Sequence, residues 1–144
     1  MVNTIAVGTD GTPTANQAVA AAIDLAERNS ARLVLISSYR NGTSGPAIRE
    51  PERIPPDIDW TINPVGQADA ILARAADSAQ ARGLPVTKIA RAGNPAEVLC
   101  NIAAEQRADV LVIGNKGMHR RVLGSIPNSV AHNAPCSVLI VKTT

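Results

Sequence analysis

Residues 110–129, VLVIGNKGMHRRVLGSIPNS, join an apolar run to glycines, basic residues and a Gly-Ser pair, a combination suited to binding an anion. A strand that ends at Ile113 would place Gly114 and Gly117 where the main chain can approach a ligand closely, because glycine has no Cβ. A helix that opens at Gly124 would direct free N–H groups and the positive end of its dipole at a phosphate. The stretch therefore predicts a phosphate site formed largely by backbone.

The spacing of this stretch matches neither of two common phosphate-binding patterns. From Gly114 it reads G-x2-G-x6-G-S, whereas a P-loop has contiguous Gly-Lys-Ser/Thr and a dinucleotide fold has G-x-G-x-x-G. Lys116 precedes Gly117 and is far from Ser125 in sequence, so the lysine and magnesium geometry of a P-loop does not follow. A surface loop that turns on glycines and is solvated by basic residues is the alternative.

Length and composition indicate one compact domain, which we take as residues 1–144. Hydrophobic residues are 45% of the chain, yet there is no Phe, one Trp and one Tyr, so Ala, Val, Ile and Leu must form the core. A net charge of only +2 and the scarcity of aromatic side chains argue against a nucleic-acid surface.

Cysteine spacing and apolar runs bear on metal binding and location. Cys100 and Cys136 fit neither a C-x-x-C pair nor a zinc pattern. The start of the chain does not resemble a signal peptide, and no apolar run approaches the roughly 20 residues of a membrane span. We expect a soluble, cytoplasmic protein with buried thiols, no metal site, no membrane contact and no nucleic-acid partner.

Strand-like and helix-like apolar patterns alternate along the chain. The predicted strands are Asn3–Thr9, Leu33–Ser38, Val86–Ala90, Val110–Ile113 and Ser137–Lys142. The predicted helices are Pro13–Asn29, Asn63–Arg82, Pro95 to about Gln106, and Ile126–Asn133. Capping residues stand before proline at three of the four helix starts, where proline's fixed φ and missing N–H suit the first helical position.

This alternation with short links predicts an α/β domain, a parallel sheet with helices on both faces. In such sheets ligands bind beyond the carboxyl ends of the strands, where the strand order reverses. The first and fourth predicted strands end in Gly8-Thr9-Asp10-Gly11 and Gly114-Asn115-Lys116-Gly117. If these strands are neighbours, both loops face one pocket.

Residues 40–62 do not fit this alternation of strands and helices with short links. They contain four prolines and Trp60 and show no sustained apolar period. A connection this long in a compact domain is usually a lid, a partner surface or a mobile loop. An ordered surface crossing without a function is the alternative.

Three segments carry a family resemblance: VGTDG at 7–11, VIGNKG at 112–117 and LGSIPNSVAHNAPCSVLIV at 123–141. On these the chain resembles the universal stress protein family over its full length. The resemblance implies a single Rossmann-like domain with a five-stranded parallel sheet in the order 3-2-1-4-5. It also implies a homodimer formed through the last strand, Ser137–Lys142. Many members bind ATP through a G-x2-G-x9-G-S/T motif, some bind cyclic AMP instead, and some bind no nucleotide.

Carried over by position, the resemblance assigns each part of the motif to a part of an adenine nucleotide. Asp10 would contact the sugar or a metal that the nucleotide carries. The residues that would approach or flank the base are Gly8, Thr9, Ser38 and Ile113. The residues that would border or hold the phosphates are Gly114, Lys116, Gly117, Gly124, Ser125 and Ile126. Arg120 is added to this predicted site for its charge and not by the motif.

One departure from the family pattern concerns the size of the ligand. Six residues, Met118–Leu123, separate Gly117 from Gly124 where the ATP-binding pattern has nine, which shortens the segment by up to ~10 Å of extended chain. Either basic residues at 119–121 compensate through direct charge contacts, or the pocket holds AMP or cyclic AMP, or binding is lost. The sequence favours ATP, with any Mg²⁺ carried by it, because three cations beside the helix start exceed what one phosphate needs.

The sequence offers few groups for catalysis. Asp10 is the only carboxylate that the motif places, and its alternative roles are capping the first helix region or pairing with a lysine. No motif arranges a His or Asp beside Ser125, so we expect a cap and phosphate ligand there rather than a nucleophile. We therefore expect a regulatory nucleotide-binding homodimer and not an enzyme. A slow ATPase or phosphotransferase and a ligand-free structural dimer are the alternatives.

Overall fold

The computed structural model describes residues 1–39, 64–115 and 124–142, which form five strands and four helices. The strands are β1 (Thr4–Gly8), β2 (Arg32–Tyr39), β3 (Val86–Ala92), β4 (Val110–Asn115) and β5 (Ser137–Lys142). The helices are α1 (Pro13–Asn29), α2 (Pro64–Gln80), α3 (Pro95–Glu105) and α4 (Ser125–Asn133). The predicted segments 40–62 and 116–123 lie outside the described residues.

The five strands form one parallel sheet in the order β3-β2-β1-β4-β5, which confirms the order implied by the resemblance. β1 lies at the centre, between β2 and β4. The strand order reverses at this centre, because the chain adds β2 and β3 on one side of β1 and β4 and β5 on the other. The carboxyl ends of β1, β2 and β4 therefore meet at one edge.

Alternate side chains of the central strands fill two separate apolar layers. On one face Ile5, Val7 and Val112 pack with α1 and α2, and on the other Ala6, Leu111 and Ile113 pack with α3 and α4. No phenylalanine contributes, so alanines on the helices bring the backbones close to the branched side chains of the sheet. This is the core that the composition predicts.

The predicted caps fix the starts of two helices near the carboxyl edge of the sheet. Thr12 precedes Pro13, and its Oγ1 accepts a hydrogen bond from the Ala15 N–H at 3.2 Å. At the start of α3, the Asn94 Oδ1 accepts from the Glu97 N–H at 3.2 Å. Each cap satisfies one of the N–H groups that a helix start leaves without a partner.

The structure differs from the predictions mainly at element ends. β4 continues two residues beyond Ile113, because Gly114 and Asn115 pair with Val141 and Lys142 of β5. A partner so distant in sequence leaves no local signal, and a Gly-Asn pair suggests a turn. The second helix ends earlier than predicted, at Gln80, and the chain turns at Gly83 with φ +75°.

The amino end of the sheet is held by charged side chains. The Asp109 Oδ2 accepts from the N–H groups of Asn3 and Thr4, at 2.8 and 3.0 Å. These two backbone hydrogen bonds lower the pKa of the Asp109 carboxyl. The Arg32 guanidinium donates to the Thr4 Oγ1 and to the side chain and carbonyl of Gln106. No helix among the described residues is long and apolar enough to span a membrane.

Candidate functional site

The carboxyl ends of β1, β2 and β4 open into a cavity of about 330 Å³. The starts of α1, α3 and α4 close its sides, and it lies where the strand order reverses, the usual ligand position in an open α/β sheet. It is lined by Gly8, Thr9, Asp10, Thr12, Thr14, Ala15, Ile36, Ser38, Pro95, Leu99, Ile113, Gly114, Asn115, Gly124, Ser125, Ile126 and Pro127.

Every predicted site residue that the structure describes lines this cavity. They come from three distant segments: Gly8, Thr9 and Asp10 at the end of β1 and just after it, Ser38 in β2, and Ile113, Gly114, Gly124, Ser125 and Ile126 around β4 and α4. The remaining predicted residues, Lys116, Gly117 and Arg120, lie outside the described residues, as do His119 and Arg121. The folding of the chain thus brings the residues that follow β1 and the last two residues of β4 to one cavity.

Part of the cavity wall is apolar and well packed. Ile36, Leu99 and Ile113 are buried side chains that line it, from two strands and a helix. Ala15 and Pro95 add small apolar surfaces from the starts of α1 and α3. A wall of this kind suits the faces of a planar aromatic group, while polar side chains at the same cavity can fix its orientation.

The loop after β1 is held by a backbone hydrogen bond to β2 and by its own side chains. The Thr9 N–H donates to the Ile36 carbonyl at 2.9 Å, and the Thr9 Oγ1 accepts from the Gly11 N–H at 3.2 Å. The Asp10 Oδ1 accepts from the N–H and the Oγ1 hydroxyl of Thr12, at 3.0 and 2.6 Å. The alternative predicted for Asp10, a role at the start of the first helix, is therefore present. Its contact with a sugar or a metal stays a prediction.

The start of α4 presents backbone donors to the cavity. Gly124 is the capping residue, with φ −63° and ψ 166°, and Ser125 is the first residue of the helix. The prediction that Ser125 would cap the helix is thus wrong by one residue, because the chain becomes helical at Ser125 itself. Ser125 and Ile126 are exposed, and both line the cavity. The helix dipole makes this end electropositive.

Gly114 has a structural reason for lacking a side chain. A Cβ at this position would lie 2.9 Å from both the carbonyl oxygen and the Cγ2 of Thr14 in α1. A close approach of backbone and ligand at Gly114 predicts that Gly114→Val removes ligand binding and leaves the protein folded. The structure corrects the second part of this prediction, since the side chain would first displace the backbone of α1.

The sequence did not single out several residues of the cavity. Thr14, Pro95 and Leu99 lie on helices and Thr12 caps one, and these helix starts reach the cavity only through the packing of the whole domain. The sequence predicts Asn115 only as part of a loop, yet it is fully buried at the end of β4. Its Oδ1 accepts a hydrogen bond from the Gly124 N–H at 2.9 Å. An asparagine directly after the first glycine of the pattern is the signal that could have found it.

Charge at the cavity is sparse in the part of the chain that the structure describes. Asp10 is the one ionisable side chain among the described lining residues. Within residues 1–39, 64–115 and 124–142, no group of three or more His, Cys, Asp and Glu side chains could hold a metal ion. A phosphate at this site would be bound mainly by backbone dipoles and hydroxyl groups of these residues.

Comparison with known sequences shows which family the chain belongs to. The model of the family described as the universal stress protein family matches residues 1–142. The universal stress protein Rv1636 of Mycobacterium tuberculosis is 33% identical to this chain. The match covers 98% of this chain and 97% of the relative.

Comparison with solved structures agrees. A universal stress protein in complex with cAMP is 31% identical, with a TM-score of 0.74 over 99% of this chain and 98% of the other. A universal stress protein family protein from Arabidopsis thaliana with AMP bound is 15% identical, with a TM-score of 0.69 over 99% of this chain and 92% of the other. At 15% identity, the similarity to this second structure shows a shared fold and nothing more.

Proposed function

Because this chain belongs to the universal stress protein family, we propose that it binds an adenine nucleotide in the cavity where β1, β2 and β4 end. One observation carries the proposal. Residues that the sequence predicts as ligand contacts lie in three distant segments and line a single cavity, which joins an apolar wall to the start of α4. The relative of 31% identity that was solved with cAMP supports the same class of ligand.

The number of phosphates is the finer part of the proposal. The sequence favours ATP, because Lys116, Arg120 and Arg121 are three cations that precede the helix start, more than one phosphate needs. The shortened segment and the cAMP complex of the relative support a ligand with one phosphate. Titrations of ATP, AMP and cyclic AMP at fixed salt separate these. A tenfold preference for cyclic AMP over ATP that survives Arg120→Ala would contradict ATP.

We propose a regulatory role in a stress response rather than catalysis, in which occupancy of the cavity is passed to a partner protein. The competing activity is slow hydrolysis or transfer of a phosphoryl group from ATP, with Mg²⁺ carried by the nucleotide. Isotope-traced turnover of purified protein tests it. Product beyond one equivalent per site that is lost in Asp10→Ala would favour the enzyme. Asp10→Asn is the matched control, because it keeps an acceptor for Thr12.

We propose a homodimer formed through β5. This strand lies at one edge of the sheet, and Leu139 at its centre is 40% exposed. An apolar edge strand with outward-facing backbone groups is usually covered. Antiparallel pairing with β5 of a second copy would cover it through a two-fold axis.

The proposed function is tested most simply by asking what the protein carries. Freshly purified protein is denatured, and the released small molecules are identified by mass spectrometry. We expect an adenine nucleotide in an amount that approaches one per chain. The absence of any adenine compound, together with no thermal shift on adding ATP, AMP or cyclic AMP, would contradict the proposal and favour a ligand-free dimer.

A further inference from the structure

We infer that Asn115 is a positioning residue, which fixes the start of α4 against the end of β4 and so aims the free N–H groups of the helix at the ligand's phosphate. This inference rests on the proposed function, since it specifies how the same cavity would hold a phosphate. It assigns a role to a side chain that is not among the predicted ligand contacts.

The hydrogen bond that joins Asn115 to Gly124 closes the gap between strand and helix. The Asn115 Oδ1 accepts from the Gly124 N–H at 2.9 Å, and a Cβ at position 124 would lie 3.1 Å from the same oxygen. Gly124 is the capping residue of α4 but has no side chain with which to cap. Asn115 is fully buried, so its amide group is held by the surrounding structure.

This hydrogen bond decides which donors of the helix start are left for a ligand. The Gly124 N–H is taken by Asn115, Pro127 has no N–H, and the Asn128 N–H donates to the Gly124 carbonyl at 3.0 Å. The N–H groups of Ser125 and Ile126 have no carbonyl partner within their own helix, because they belong to its first turn. With the Ser125 hydroxyl they make three donors at the cavity wall, a set suited to one phosphoryl group.

An asparagine meets the requirements of this position better than related side chains do. An aspartate would have the same shape and could accept the same hydrogen bond, but it would add a buried negative charge beside an anion site. A serine is shorter and would not reach the Gly124 N–H. The neutral amide supplies an acceptor of the right length without opposing a phosphate.

The experiment compares AMP with adenosine, which differ only in the phosphate, in wild type, Asn115→Ala and Asn115→Ser. A matched control is Asn133→Ala, because the Asn133 side chain donates to the Ser129 carbonyl at 2.8 Å at the opposite end of the same helix. Affinities come from calorimetric titration. Hydrogen exchange of the Gly124 amide, followed by NMR in ligand-free protein, reports the hydrogen bond without reference to any ligand.

We expect both Asn115 variants to lose about fivefold to tenfold in affinity for AMP, with adenosine affinity within about twofold of wild type. The Gly124 amide should exchange faster in both, and Asn133→Ala should change neither quantity. Serine is the second variant because it retains a polar group if alanine prevents folding.

Two results would overturn the inference. One is wild-type exchange at Gly124 as fast as in the variants, and the other is an equal loss of AMP and adenosine affinity, which is what general destabilisation would produce. Wild-type protein that binds neither ligand contradicts the proposed function and the ligand part of this inference together. The exchange rates still decide whether Asn115 holds the start of α4.

Discussion

Gly114 lies against Thr14, and the two backbones approach so closely that a Cβ on Gly114 would sit 2.9 Å from the Thr14 carbonyl oxygen. The contact joins β4 to the first turn of α1, and both residues line the cavity. The same glycine that the sequence assigns to a phosphate therefore also sets the distance between sheet and helix. Substitutions here must be interpreted first as changes in packing.

Gly114→Val should destabilise the protein by at least about 1–3 kcal/mol, the usual cost of forcing extra carbon into a packed interior. The neighbouring atom is a backbone oxygen, which cannot move aside as a side chain can. Urea unfolding measures the change. Gly124→Ala is the comparison, because it adds a Cβ against a side-chain atom and not against backbone. That Cβ would lie 3.1 Å from the Asn115 Oδ1, and the backbone φ of Gly124, −63°, is ordinary. A Gly114→Val protein as stable as wild type would contradict the packing account.

Ser125→Ala should weaken AMP binding about tenfold or more, because a hydrogen bond to a charged group is worth roughly 1.5–3 kcal/mol. Ser129→Ala makes the same change one turn later on α4, at a residue that does not line the cavity. It should bind AMP as wild type does. Calorimetric titration of the two variants measures the difference, and equal affinities would place the phosphate elsewhere.

Asp109→Asn should reduce stability at neutral pH, because hydrogen bonds to an ionised carboxylate are stronger than those to an amide. The folded-state pKa of Asp109 is lowered by the N–H groups of Asn3 and Thr4, so its contribution is present at neutral pH. That contribution is lost as the pH falls from the ordinary Asp pKa of about 4 through the lower value.

Thermal unfolding of wild type and Asp109→Asn across this range checks the sign. The difference in stability should shrink as the solution becomes acidic. Asp69→Asn, at an exposed position on α2, is the control. A difference that grows towards acidic pH would rule out the assignment.

Leu139→Arg should convert the proposed dimer into monomer, since it places a charge at the centre of an exposed edge strand. Leu139→Pro should give monomer or unfolded protein, because it also removes a backbone N–H. Thr87→Arg adds the same charge to β3, at the opposite edge of the sheet, and should leave the assembly unchanged. Sedimentation at several concentrations is the measurement. A Leu139→Arg protein that sediments as wild-type dimer would place the interface elsewhere.

Local signals predicted the elements and, through the resemblance, the strand order. Thr12-Pro13 locates the start of α1, because a cap and a proline act within a few residues of chain. The apolar period of α1 predicts an inward face, and its members are all buried: Ala18, Val19, Ala22, Ile23 and Ala26. In α2 the same period predicts Ala68, Ile71, Leu72, Ala75 and Ala79 but not Ala76, which is buried beside Leu72 and Ala79.

The features that could not be predicted from the sequence depend on contacts between distant segments. Asn115 belongs to β4 because β5 pairs with it, and it reaches Gly124 because the strand end and the helix start lie side by side. Nothing within a few residues of Asn115 specifies either contact. The packing of Gly114 on Thr14 is of the same kind, since it joins residues 100 positions apart in the chain.

The central claim is that an adenine nucleotide binds at the carboxyl edge of the sheet. NMR titration of ligand-free protein with AMP, followed at assigned backbone amides, tests it most directly. We predict saturable shifts concentrated at Gly8, Ser38, Gly114 and Gly124, with little change at Arg32 and Asp109 at the opposite edge. No saturable shift with AMP, cyclic AMP or ATP, or shifts centred on Arg32 and Asp109, would contradict the account.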